Sequence, residues 1–107
     1  MNRLYLTILF RIHPRQWETF ERYEALVLAQ LPKYGGEIHL RFKTDRAHNE
    51  VDAPHEIHVL SFPDDQAFHQ YLHDPVRAQH KALAEEAVAS VQVIRGELEG
   101  PLHPAEP

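Results

Sequence analysis

The sequence predicts an α+β domain: a four-stranded antiparallel sheet with helices across one face, in the order β-α-β-β-α-β. Three observations carry this. Residues 4–13 alternate apolar and polar side chains, the period of a half-buried strand. From Trp17 to Leu31 the apolar spacing becomes helical. Two more alternating stretches then follow with only a polar loop between them, as in a hairpin, before helix and strand signals recur.

In the first strand Leu4, Leu6, Ile8, Phe10 and Ile12 share one face, with Tyr5, Thr7, Leu9, Arg11 and His13 opposite. His13-Pro14 ends it, and Pro14 suits a helix start. Trp17, Phe20, Tyr23, Val27, Leu28 and Leu31 make the apolar stripe of the first helix. At about 100° per residue, Glu24 falls inside that stripe. Pro32 ends the helix, and Tyr34-Gly35-Gly36 supplies a turn.

The second strand spans 37–44, with Ile38, Leu40 and Phe42 on one face and Glu37, His39, Arg41 and Lys43 on the other. Residues 45–54 form the hairpin loop. The stretch His55–Asp64 begins as a strand and ends as a helix start, with Phe62-Pro63-Asp64 as hinge. Pairing Leu40 with Val59 sets Ile38 against Ser61, Phe42 against Ile57, Arg41 against His58 and Lys43 against Glu56. That register places a cation opposite an acid. A two-residue slip would instead put Arg41 opposite Glu56.

Asp64 is placed as an N-cap, and Phe68, Tyr71 and Leu72 form the apolar face of the next helix. Asp74-Pro75 repeats the start signal for a helix from Pro75 to Val88, with Val76, Leu83 and Ala87 on one face and His80 within that face. Residues 90–98 make the last strand. Residues 1–98 thus read as one domain, and 99–107, with three prolines, as a tail. This is the split βαβ, ferredoxin-like pattern. Tyr5, Leu9, His39, His58, Leu60 and Phe62 are expected on the sheet face away from the helices. So apolar a face predicts a covering partner, most simply a second copy about a two-fold axis.

The net charge is -5 and no basic cluster stands out in the sequence, which argues against nucleic acid and anionic membranes as partners. No apolar run approaches the roughly 20 residues of a membrane span, and no signal peptide is read at the N-terminus. With no cysteine there is no disulfide framework, and a cytoplasmic protein is expected.

Several local motifs form a set: Tyr34-Gly35-Gly36-Glu37 entering strand two, Arg41 within it, the Phe62-Pro63-Asp64 junction, and Tyr71-Leu72 with Asp74-Pro75. The chain from residue 3 to 98 resembles the dimeric α/β-barrel superfamily. That superfamily includes antibiotic-biosynthesis monooxygenases, muconolactone isomerases and uncharacterised bacterial families, and one of the last gives the nearest resemblance. The resemblance implies a dimer whose two sheets close a barrel, with a small-ligand pocket beside the sheet. The monooxygenase members rely on Asn, Trp and Arg side chains. Trp17 and Arg41 are present here, and the first strand carries no Asn.

Glu24 and His80 are the two polar residues on otherwise apolar helix faces, and both helices lie on one side of the sheet. A converging acid and imidazole would form a general acid–base pair, since burial tunes both toward neutrality. The plain alternative is a satisfied core histidine and an acid at the stripe's rim. Arg41 and His58, expected on the helix-free face, could hold an anionic ligand or form an interface network with Glu56. Trp17, Tyr23 and Tyr71 could line a pocket for an aromatic or polyketide-like ligand, or simply pack the core. His69 and His73 have i, i+4 spacing but sit opposite the apolar face. His55 and His58 are split across the sheet by alternation, so no metal site is expected. The resulting expectation is a homodimeric protein with a pocket between helices and sheet, a cofactor-independent monooxygenase or isomerase-like enzyme acting on a small organic molecule. Glu24 and His80 would be catalytic, with Trp17, Arg41, His58 and Tyr71 around the substrate. The alternative is a non-catalytic ligand-binding or structural dimer.

Overall fold

Strict alternation in the first strand fixes the architecture. In the computed structural model, which describes residues 3–100, β1 (Leu4–Ile12) buries Leu6, Phe10 and Ile12 beneath helices. The helix α1 (Trp17–Leu28) follows, burying Phe20, Tyr23, Glu24 and Val27. A 3-10 turn at Leu31–Tyr34 ends on Gly35, whose φ of 68° is the left-handed conformation that favours glycine. Then come β2 (Glu37–Lys43), β3 (Glu56–Phe62), α2 (Asp65–Leu72), α3 (Pro75–Gln79), α4 (Lys81–Ala87) and β4 (Val88–Glu97). The sheet order is β2-β3-β1-β4, antiparallel throughout. This is the ferredoxin-like α+β arrangement that the element order predicts.

The hairpin register is the expected one from Leu40 to Lys43, which pair with Val59, His58, Ile57 and Glu56 in turn. Before Leu40 it differs. A bulge at His39 shifts the pairing, so Ile38 meets Leu60 rather than Ser61, and Glu37 meets Ser61.

The sequence-based facing of β3 is corrected. His58, Leu60 and Phe62 lie on the helix-covered face, paired with Ile8, Leu6 and Leu4 of β1 and almost fully buried. Ile57 and Val59 take the open face, beside Leu9 and Thr7. Polarity misleads here. Glu56 and His58 look like solvent-facing residues, but each finds charged partners under the helices, which removes the cost of burial.

The helix expected over 75–88 is broken at His80, whose φ of −110° and ψ of 21° separate α3 from α4. Asp64 caps α2 by accepting from Ala67 N–H at 2.8 Å, and Asp74 caps α3 by accepting from Val76 N–H at 2.8 Å. Buried Asp74 also receives Lys33 Nζ at 2.6 Å and the Tyr34 hydroxyl. These contacts tie the 3-10 turn to the α2–α3 junction. They hold the Asp74 carboxyl down at about 2, the Lys33 bond being the largest cause and the Tyr34 bond the next.

The core is in two parts. One gathers Leu6, Leu31, Leu60, Phe62, Phe68 and Tyr71. The other gathers Phe10, Ile12, Phe20 and Ala87. Ile8 packs against both. Of the expected tail, residues 101–107 lie outside the described residues, and Gly100 has no regular structure.

Candidate functional site

Between the two parts of the core lies a cavity of about 210 Å³. β1, β3 and β4 form its floor through Ile8, Phe10, His58, Leu60, Val91 and Val93. The helices form its walls through Tyr23, Glu24, Phe68, Tyr71 and Arg77. This is smaller than the roughly 300–1,000 Å³ of drug-sized ligand pockets, and it is mostly apolar with a few convergent polar groups.

Those polar groups form a chain. Arg41 Nε donates to Glu56 Oε2 at 2.6 Å, and its Nη2 donates to Glu21 Oε1 at 2.7 Å. Glu56 Oε2 receives His58 Nε2 in a short contact. His58 Nδ1 then stands 3.7 Å from Glu24 Oε1. Glu56, His58 and Glu24 are each at most 4% exposed. The Phe10 ring packs on the imidazole at 4.8 Å between centroids.

The two carboxyls experience opposite fields. Burial pushes Glu24 up to about 7, against the attraction of His58, Arg77 and Arg41. Burial also acts to raise Glu56, but its hydrogen bonds from His58 and Arg41 outweigh that and hold it below the usual range. One acid therefore stays charged and anchors the imidazole. The other is poised to exchange a proton near neutrality. With Nε2–H committed to Glu56, His58 leaves Nδ1 toward Glu24, an orientation set by the second carboxylate as in other carboxylate–histidine pairs.

Of the six residues singled out from the sequence, the fold gathers Glu24, His58 and Tyr71 at this cavity. Arg41 acts one step behind, through Glu56. His80 sits half-buried at the α3–α4 break, neither lining the cavity nor bonded to Glu24; the imidazole that meets Glu24 belongs to His58. Trp17 is also elsewhere, packed on Phe20 with Lys43 Nζ 4.6 Å from its ring centroid. Register sets Lys43 opposite Glu56, yet it is Arg41 that takes Glu56. Tyr71 donates from its hydroxyl to Val27 O at 3.1 Å, and burial pushes it up to about 12, so it is neutral over the working range of the site. Arg77, 4.9 Å from the Tyr71 ring centroid, was not legible as a site residue. Its position in the short helix α3 carries no signal beyond charge. Among the described residues no cluster of three or more His, Asp or Glu side chains is disposed to hold a metal, and no helix is long and apolar enough to cross a membrane.

Topology and site together define a ferredoxin-like α+β domain with a buried acid–imidazole array beneath its helices. Solved structures share the fold. A protein of unknown function from Rhodopseudomonas palustris, RPA0582, is 19% identical, with TM-score 0.76 over 96% of this chain and 85% of that one. PA3566 from Pseudomonas aeruginosa is 17% identical, with TM-score 0.71 over 94% of this chain and 97% of that one. A structure from Bacteroides fragilis, described as a dimeric protein of unknown function with a ferredoxin-like fold, is 11% identical, with TM-score 0.70 over 92% and 98%. No curated protein matches the sequence. Residues 6–96 match the family described as Domain of unknown function (DUF1330), and the chain belongs to that family.

Proposed function

We propose that this protein is a homodimeric acid–base enzyme that moves a proton on a small, largely apolar organic molecule held between helices and sheet. The observation that carries this is Glu24: an acid near neutrality in an apolar cavity, facing an imidazole that a second, ionised carboxylate orients. Glu24 would abstract or deliver the proton. His58, oriented by Glu56 and Arg41, would take the proton on from Glu24 at its free Nδ1. Arg77 gives the wall a positive charge for an enolate or carboxylate oxygen. Proton removal of this kind opens an isomerisation, and equally a cofactor-independent oxidation in which dioxygen accepts the electrons of the resulting anion. The array itself supports the first step common to both.

The homodimer rests on the open sheet face and on the dimeric description of similar structures. Leu40, Phe42 and Ile94 are 52%, 43% and 49% exposed there. A second copy packed on that face removes them from water.

The test is solvent deuterium incorporation into a panel of small carbon acids, such as enolisable ketones, unsaturated lactones and their carboxylates, followed by NMR. At least one compound is expected to exchange with a rate that rises with pH through about 7. Glu24→Gln should abolish that exchange while His80→Ala preserves it. Equal exchange in wild type and Glu24→Gln would remove Glu24 from the mechanism.

A further inference from the structure

A second and larger cavity, about 630 Å³, opens at one end of the sheet, between the β1–α1 loop, the end of β2 and the hairpin loop. Its charge is one-sided. Arg11, Arg15, Lys43 and Arg46 all line it, and no carboxylate does. In a chain of net charge -5 this is the opposite of what chance placement gives. The four are scattered in sequence and meet only in the fold. Among the described residues, none of them is in an ion pair.

Arg11 Nη1 donates to Ala53 O at 2.9 Å and the Thr44 hydroxyl to Pro54 O at 2.6 Å, but at His55 two donors meet without an acceptor. His55 Nδ1 accepts from Ile12 N–H at 2.8 Å, so a neutral His55 carries its proton on Nε2. That Nε2 stands 3.3 Å from Arg46 Nη2. Two N–H groups thus face each other with nothing between them to accept. Burial, then the charges of Arg46 and Arg11, hold His55 below its ordinary value, as a site short of negative charge would. Arg15 adopts a φ of 67°, strained for a residue with a side chain, and strain of this kind concentrates at binding sites. Ile12, Pro14, Trp17, Val51 and Ala89 make an apolar part of the wall, and His13 and Thr44 complete it.

We propose that this cavity binds a small organic anion: a carboxylate or phosphate on an aromatic or apolar body. Arg46, His55 and Lys43 hold the charged group, and the body lies against Trp17. The site is separate from the Glu24 cavity, and the two have no lining residue in common.

Trp17 is the chain's one tryptophan, so its fluorescence reports on this cavity directly. The probes are phenyl phosphate, benzoate and neutral benzyl alcohol. Saturable change in Trp17 emission is expected with at least one anion at about 1 mM or below, and not with the alcohol. Whichever anion binds more tightly identifies the head group. Lys43→Met combined with Arg46→Ala should weaken binding about ten-fold or more, given the strength of hydrogen bonds between charged groups. Lys43→Arg should retain binding, and so should Glu24→Gln in the other cavity. Saturation by benzyl alcohol equal to that by the anions would overturn the proposal. So would anion binding indifferent to the double substitution, or no saturation by either anion.

Discussion

Glu24 carries a pH-dependent liability. Its folded value of about 7 lies above the ordinary 4.5, so folding favours its protonated form. The penalty is absent below about pH 4.5 and complete above about pH 7. We predict that Glu24→Gln stabilises the protein at pH 8 by up to about 3 kcal/mol, and that the gain disappears by pH 4.5, measured by urea unfolding at both pH values. Glu56 works in the other direction. Its lowered value contributes stability above the ordinary carboxylate range, lost as pH falls through the folded value. Arg41→Met should therefore cost about 3 kcal/mol at pH 7, because it strips a partner from a buried carboxylate, and much less in acid. An equal loss at pH 3 and pH 7 would contradict that account. The sequence exposed Glu24 through its place in an apolar stripe, and helical geometry needs no tertiary knowledge. His58 was singled out too, but on the helix-free face and away from Glu24, because a histidine on a strand looks the same whether a buried acid awaits it or water does.

Among the elements, the turn into β2 is tightly constrained. Gly36 is buried, and a Cβ there would stand 2.7 Å from Phe62 Cε1 and 3.2 Å from the Leu31 carbonyl oxygen. Gly36→Ala is predicted to destabilise by about 1–3 kcal/mol, the range for overpacking a filled site, read from the thermal midpoint. Gly96→Ala, with nothing within 4 Å, serves as the control and should change little. This turn was legible in the sequence because two glycines after a proline have few other uses. The caps at Asp64 and Asp74 were legible for the same local reason. Which side of β3 faces inward was not. Both of its faces mix apolar and polar residues, and alternation gives the period of a strand without its phase. The break at His80 was hidden too, since neither Gly nor Pro interrupts residues 76–88.

For the whole molecule, the open sheet face sets the expected assembly. We predict a dimer in sedimentation at micromolar concentration, and a monomer for Phe42→Glu, which places a charge beside exposed Leu40 and half-buried Ile57 and Val59. A wild-type monomer would remove the argument from the sheet face. The bulge at His39 has a consequence of its own. β2 and β4 are the sheet's two borders, and a border strand with free N–H and C=O groups can recruit strands from other molecules without limit. The extra residue at His39 interrupts the ladder of β2, and its imidazole meets Ser61 Oγ at 2.6 Å and stacks on Tyr5. Regular pairing is thereby denied to a strand arriving at the β2 border. Deleting His39 should restore regular pairing in β2 and leave the fold intact, yet shorten the lag before fibrils form under agitation. The histidine that interrupts the ladder is, on this view, what closes the β2 border of the sheet.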